Sequence, residues 1–132
     1  TVAIVYPRTE RADGSDDNYS EIRENEPEEY VSLVARCVRL GADLGAAAVK
    51  TQFSGSISSF DEICRQNPRV RVLAAGGPKL ALEDALGLVR AVANTSAAGI
   101  SFGRNSFNRT DVVGFIRACR RILDEGTATA SV

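Results

Sequence analysis

The sequence predicts an α/β fold of four parallel βα units, and three observations carry that prediction. Apolar strand-like runs alternate four times with amphipathic helical stretches along the 132 residues. The strand runs are too uniformly apolar to leave one face in water, which marks a parallel sheet covered by helices. The chain is also little more than half the roughly 250 residues of a closed (β/α)8 barrel, so the sheet is either open and doubly wound or half of a barrel.

In the first unit, TVAIVY from Thr1 to Tyr6 is a β-branched apolar run closed by Pro7, and it reads as a buried strand. Arg8 to Pro27 is polar, with ADGSDDN at its middle, and predicts a long loop or flexible insertion. A helix follows: Glu28 and Glu29 suit its positive first turn, and Tyr30, Leu33, Val34, Cys37 and Leu40 recur at helical spacing up to GADLG. The second unit has AAAVKTQF as strand, the loop SGSIS, and a short helix with Phe60, Ile63 and Cys64 that Pro68 stops. VRVLAA from Val70 to Ala75 opens the third, followed by the turn GGPK and a helix bearing Leu82, Ala85, Leu86, Val89 and Val92. The fourth has AAGISFG as strand, RNSFN as connection and a helix from about Thr110 with Val112, Phe115, Ile116, Cys119 and Leu123 inward, capped by Gly126. Residues 1–132 thus read as one domain with a polar excursion at about 8–27.

Composition narrows the function. The chain is 44% hydrophobic and 25% charged with a net charge of −1, the profile of an ordinary globular domain. Its one charge bias is acidic, from Asp13 to Glu29, so neither a nucleic-acid groove nor a basic membrane surface is expected. No run reaches the roughly 20 apolar residues of a membrane span and no signal peptide is visible, which predicts a cytoplasmic protein. Thr1 in place of Met predicts a processed, trimmed or partial polypeptide. Cys37, Cys64 and Cys119 are widely spaced within apolar stripes and read as buried hydrophobes in a reducing compartment. The sequence has no His. Serine-histidine and cysteine-histidine pairs are therefore excluded, leaving Lys, Tyr, Asp and Glu for covalent or acid-base work.

Against 14 arginines the chain has two lysines, and one of them, Lys50, ends the apolar run GAAAVK. Period-two alternation puts Ala48, Lys50 and Gln52 on one face of that strand and Val49, Thr51 and Phe53 on the other. If the greasier set meets the helices, Lys50 points into the site. There, desolvated and close to Arg104, its amine would be nucleophilic enough to form a Schiff base; the alternative is a strand-end lysine reaching solvent. Tyr6 ends the first strand equivalently and is either an acid-base phenol in the same space or a rim aromatic. Gly76 and Gly77 of GGPK offer backbone N–H groups for an anion nest, and FGRN offers Gly103 for close approach and Arg104 for a bidentate grip on phosphate. Each segment alone is equally an ordinary turn; together, after successive strands, they describe a phosphate clamp.

The set VYPR, GADLGAAAVKTQFSG, AAGGPK and SFGRNSFNR, in this order and spacing, resembles the C-terminal half of the archaeal-type class I fructose-bisphosphate aldolases, in the superfamily of deoxyribose-phosphate aldolase. The resemblance spans nearly the whole chain apart from Arg8 to Pro27. It implies that the four units are strands five to eight of a TIM barrel, with Lys50 as the Schiff-base lysine and Tyr6 as the proton-handling tyrosine. Gly76, Gly77, Gly103 and Arg104 then match the substrate phosphate site, on the loops after strands seven and eight. No metal or organic cofactor is implied.

Three departures qualify the mapping. The connection after YPR is longer than the family's, and Ile4 stands where some members carry a pocket-shaping aromatic. The first four units, with an acidic residue near the first strand, are absent, so a second chain supplying them or a self-paired half-barrel is expected as partner. The activity implied is cleavage of a phosphorylated ketose such as fructose 1,6-bisphosphate. The alternatives are a phosphoketose transferase, a heptulosonate-type synthase or thiolase of the same superfamily, or a non-catalytic phosphate-binding fragment. A nucleotide-binding open sheet is disfavoured because no GxGxxG follows the first strand.

Overall fold

The computed structural model describes residues 1–16 and 19–129, with side chains through Gly126. Among the described residues four strands form one parallel sheet in the order of the chain: β1 (Val2–Ile4), β2 (Ala48–Gln52), β3 (Arg71–Ala75) and β4 (Gly99–Ser101). The main crossovers are α2 (Pro27–Asp43), α3 (Ile57–Gln66) and α4 (Leu82–Ala93), and α6 (Val112–Thr129) follows β4. Two short helices, α1 (Ser20–Asn25) and α5 (Arg104–Phe107), lie in the connections. Sequential strands pair side by side, as they do in a barrel wall and as a doubly wound sheet does not.

Register sorts the side chains into two faces. Ala3, Val49 and Val72 form one row, and Thr51, Ala74 and Ile100 the next. These rows face the helices, where Val49, Val72 and Ala74 pack with Tyr30, Val34 and Val38 of α2 and Phe60 and Ile63 of α3. A second cluster joins Ala85 and Val89 of α4 to Phe115 and Cys119 of α6. The opposite face presents Ile4, Lys50, Leu73 and Gly99 in one row and Gln52, Ala75 and Ser101 in the next. On it Ile4 is exposed and Lys50 and Leu73 are half-buried, whereas Gln52 and Ala75 in the upper row are buried.

That uncovered face corrects the first expectation. β1 is not a buried strand: Val2 is 58% and Ile4 64% exposed, because β1 is an edge and both side chains point away from the helices. The segment 8–27 is not one loop either, since α1 occupies part of it and Glu10 bridges Asp16 in antiparallel fashion. Tyr19, immediately before α1, has φ of 66°, and its buried ring packs 6.1 Å from that of Tyr30, fastening the excursion to α2.

Some helix faces are also rotated from the expected stripe. Leu40, Leu82 and Ile116 are exposed, and on α2 the buried set continues through Val38 and Gly41. A Cβ at Gly41 would overlap Val49 Cγ2, so the glycine lets α2 lie against β2. Gly126 is no cap, because α6 runs on to Thr129; a Cβ there would sit 2.5 Å from the Ala93 carbonyl oxygen, at the close approach of α6 to the end of α4. The cysteines are free, Cys64 and Cys119 buried and Cys37 half-buried. Burial raises all three thiols, Cys64 to about 12, so at neutral pH they are packing groups and not nucleophiles.

Candidate active site at the carboxyl ends of the strands

Lys50 stands on the uncovered face of β2, half-buried, flanked by Ile4 on β1 and Leu73 on β3. Its neighbours in the chain, Val49 and Thr51, are fully buried beneath the helices, and that fixes the direction in which Lys50 projects. The parallel pairing of β1 with β2 continues one step past β1, where Val5 N donates to Lys50 O at 3.0 Å. Tyr6 therefore lies on the same face as Lys50, one strand across and one row further up, about 8 Å away between Cα positions from standard strand spacings. Burial raises the Tyr6 phenol above its ordinary value and nearby Tyr19 adds to that rise, while the Arg104 guanidinium opposes it. Arg104, from the far end of the sheet, is thus an electrostatic neighbour of Tyr6.

The two glycine loops are tied together by a residue that the sequence reading did not single out. Asn105 is fully buried, and its Nδ2 donates to the carbonyls of Gly76 and Pro78, both at 2.9 Å. Its Oδ1 accepts from Leu80 N at 2.8 Å. Arg109 braces it, donating from Nε to the Asn105 carbonyl and from a guanidinium NH2 to the Leu80 carbonyl, with its guanidinium 4.3 Å from the centre of the Phe115 ring. Gly76 has to be glycine because a Cβ would stand 2.8 Å from both Asn105 Nδ2 and Phe102 Cδ1. Gly77 has to be glycine for its φ of 63°. Gly103, immediately before α5, has φ of −106° and carries no such requirement.

Beside this junction lies an open cavity of about 830 Å³. Gly76, Gly77 and Gln52 line it, with Ser54, Ser56 and Ser59 at the start of α3 and Tyr19 and Arg23 from the polar excursion. Lys50, Tyr6, Gly103 and Arg104 are not on its wall, but Arg104 acts electrostatically on both Tyr6 and Tyr19, the latter a lining residue. The structure therefore brings the predicted residues to one end of the sheet. Gln52 shares Lys50's face, two residues on, and its Oε1 lies 3.8 Å from where a Cβ of Gly77 would be. The period-two pattern already put Gln52 on that face; no sequence signal marked Asn105.

Residues 1–109 match the DeoC/LacD family of aldolases. The chain belongs to that family. It is 34% identical over 110 residues to the class 1 fructose-bisphosphate aldolase of Thermoproteus tenax, a match covering 83% of this chain and 40% of the relative. Over 111 residues it is 34% identical to the 2-amino-4,5-dihydroxy-6-oxo-7-(phosphonooxy)heptanoate synthase of Streptomyces griseus, covering 83% and 35%. A 3-hydroxy-5-phosphonooxypentane-2,4-dione thiolase of an Enterobacter species is 30% identical over 96 residues, covering 73% and 30%. The crystal structure of an archaeal fructose 1,6-bisphosphate aldolase superposes with a TM-score of 0.73 at 32% identity, across 92% of this chain and 44% of that one. The chain thus spans 30% to 44% of the length of these relatives, and its four βα units correspond to the C-terminal half of a TIM-barrel aldolase.

Proposed function

We propose that this chain carries the Schiff-base half of an aldolase site acting on a phosphorylated ketose such as fructose 1,6-bisphosphate. The observation that supports it most is the placement of Lys50 and Tyr6 on one face at the carboxyl ends of adjacent parallel strands, where barrels of this kind hold their chemistry. Lys50 Nζ adds to the ketone carbonyl to give a carbinolamine, which loses water to become an iminium. The bond between the carbons α and β to the original carbonyl then breaks, and its electron pair moves toward the iminium nitrogen to leave an enamine. Tyr6 takes the proton from the hydroxyl that becomes the aldehyde and returns one to the enamine carbon; hydrolysis of the iminium frees the ketone and restores the amine. Gly76 and Gly77, with Gly103 and Arg104 on the neighbouring loop, hold the phosphate by backbone N–H groups and charge.

The same iminium serves the synthase and thiolase chemistries for which two of the relatives are named, and product analysis separates these from simple cleavage. The uncovered sheet face gives the remaining part of the reading. A second chain supplying the other half of a barrel, or a second copy of this one, covers it, and the reaction runs in the cytoplasm. The deciding experiment is borohydride reduction in the presence of dihydroxyacetone phosphate, read by intact mass and peptide mapping. An adduct on Lys50 that disappears in Lys50→Arg establishes the chemistry. Phosphate binding with no adduct makes the chain a non-catalytic binding fragment.

A further inference from the structure

Tyr19 holds a left-handed backbone, with φ of 66° and ψ of 8°, which among the described residues no other side-chain-bearing residue does. Its Cβ crowds the backbone there, so the conformation persists only because the surroundings fix it. The ring is buried against that of Tyr30, and Tyr30 in turn donates to the Phe53 carbonyl at 3.3 Å, in the loop after β2. The Tyr19 N–H donates to Thr9 Oγ1 and its carbonyl accepts from Arg23 N, both at 3.2 Å. No hydrogen bond joins the hydroxyl to a described residue, yet it is not enclosed: among those residues Thr51 Oγ1 is the buried side-chain atom left without a partner. Tyr19 lines the cavity at the carboxyl ends of the strands, and its hydroxyl opens there. Tyr6 and Arg104 are both electrostatic neighbours of this phenol. Burial holds it above its ordinary value, although Arg23, Arg104 and Arg8 act the other way, so at neutral pH it has a proton to donate.

Neutral hydrogen-bonding groups line the same cavity: Gln52 at the end of β2, and Ser54, Ser56 and Ser59 around the start of α3. The Ser54 and Ser59 hydroxyls lie 2.7 Å apart and Ser56 donates to Ser59 at 2.8 Å, so the three are already ordered as a chain. The charged residues on the wall, Arg23, Glu24 and Glu28, are exposed. Hydroxyls and an amide, each able to donate and accept, match the hydroxyls of a polyol chain, which do the same. We propose that Tyr19 is a specificity-determining residue of the candidate site, its hydroxyl donating to a hydroxyl of an open-chain polyol that lies along Gln52, Ser54 and Ser59. The polar excursion after the first strand then forms a wall of the site as well as joining β1 to α2. This inference rests on the phosphoketose reading, but only on the hydroxylated carbon chain of that ligand.

The test is calorimetric titration of the full polypeptide with sorbitol 6-phosphate, which carries a hydroxylated six-carbon chain and no carbonyl to react with Lys50. Glycerol 3-phosphate, with the same phosphate on a short chain, is the comparator. Tyr19→Phe weakens the hexitol phosphate about fivefold and leaves the glycerol phosphate within about twofold, the range for losing one neutral hydrogen bond made to the longer chain alone. The variant keeps the ring against Tyr30, so its urea midpoint stays at the wild-type value and a folding defect is separated from lost recognition. An unchanged hexitol affinity overturns the assignment. Equal weakening of both ligands overturns it too, as does a wild-type chain that binds no hexitol phosphate at millimolar concentration. Borohydride trapping keeps the two readings apart. An adduct on Lys50 with Tyr19-independent hexitol binding removes this inference alone, and Tyr19-dependent binding without an adduct removes the lyase chemistry alone.

Discussion

Asn105 joins the two loops of the candidate site, and its truncation has a calculable cost. Asn105→Ala removes two donated hydrogen bonds, to Gly76 O and Pro78 O, and one accepted from Leu80 N. At about 1 kcal/mol net for each neutral bond, the loss is about 3 kcal/mol. Two effects modify it in opposite directions. Pro78 is exposed, so water satisfies its carbonyl in the variant, whereas the site of Asn105 is fully buried and a void remains. The expected destabilisation is therefore about 2–3 kcal/mol, read as a urea midpoint lower by about 1–2 M at unchanged slope. Asn105→Asp discriminates the cause. Its carboxylate can still accept from Leu80 N but turns an oxygen toward two carbonyl oxygens, so it destabilises more than Ala at neutral pH. That repulsion raises the folded-state pKa of the new carboxyl group, and stability returns as pH falls and the acid regains a proton to donate. An Ala variant within 0.5 kcal/mol of wild type, or an Asp variant as stable as wild type at neutral pH, would refute the view that Asn105 holds the loops in register.

Three further predictions concern neighbouring groups. Tyr6→Phe retains the borohydride adduct on Lys50 while carbon-carbon cleavage falls about 10²–10⁴-fold, since only proton transfer is lost; single-turnover measurement on the assembled enzyme separates the two steps. Thr51 Oγ1 is buried without a partner among the described residues, so Thr51→Val raises stability by about 1 kcal/mol in urea unfolding. Asp61 Oδ1 accepts from Ser96 N at 2.6 Å and shares a short contact with Ser96 Oγ at 2.7 Å, tying α3 to the turn before β4. The Ser96 hydroxyl is the main reason that its carboxyl lies below the ordinary 3.8, with the Ser96 backbone and Arg65 adding to the effect. A lowered folded pKa contributes stability that is present above 3.8 and lost as pH falls through the folded value. Asp61→Asn accordingly costs about 1 kcal/mol at pH 7, and its stability curve converges with wild type in acid.

How far the sequence discloses this protein depends on the scale of the interaction involved. The alternation of apolar runs specifies four parallel units because burial on the helix side is all-or-none: Val49 and Thr51 are fully buried while Lys50, between them, is not. Gly76 and Gly77 were legible as a glycine turn after a strand, and the Asn105 and Phe102 side chains beside Gly76 and the φ of 63° at Gly77 show why both are glycine. The environment of β1 was not legible. A run such as VAIVY reads as buried whether or not its second face is covered, and what covers that face is not local to the run. Asn105 was hidden for a related reason, because its three partners lie 25 to 29 residues away in sequence. The helix α1 lay unseen in a polar stretch because Tyr19 and its contact with Tyr30, more than any apolar stripe, fasten it in place.

The two faces of the sheet impose different demands on the site. On the helix side the packing is complete, so the backbone positions of Lys50, Tyr6 and Gln52 are set by Val49, Thr51 and their partners, independently of any ligand. On the other side Ile4 and Val2 are open to water, while Lys50, in the same row as Ile4, is half-buried. Gly76, Gly77 and Gln52 stand on the wall of an open cavity formed within the described chain. The backbone that presents Lys50 and Gln52 is thus fixed by packing on the helix side alone, and the proposed Schiff base and the proposed phosphate contact can be tested apart.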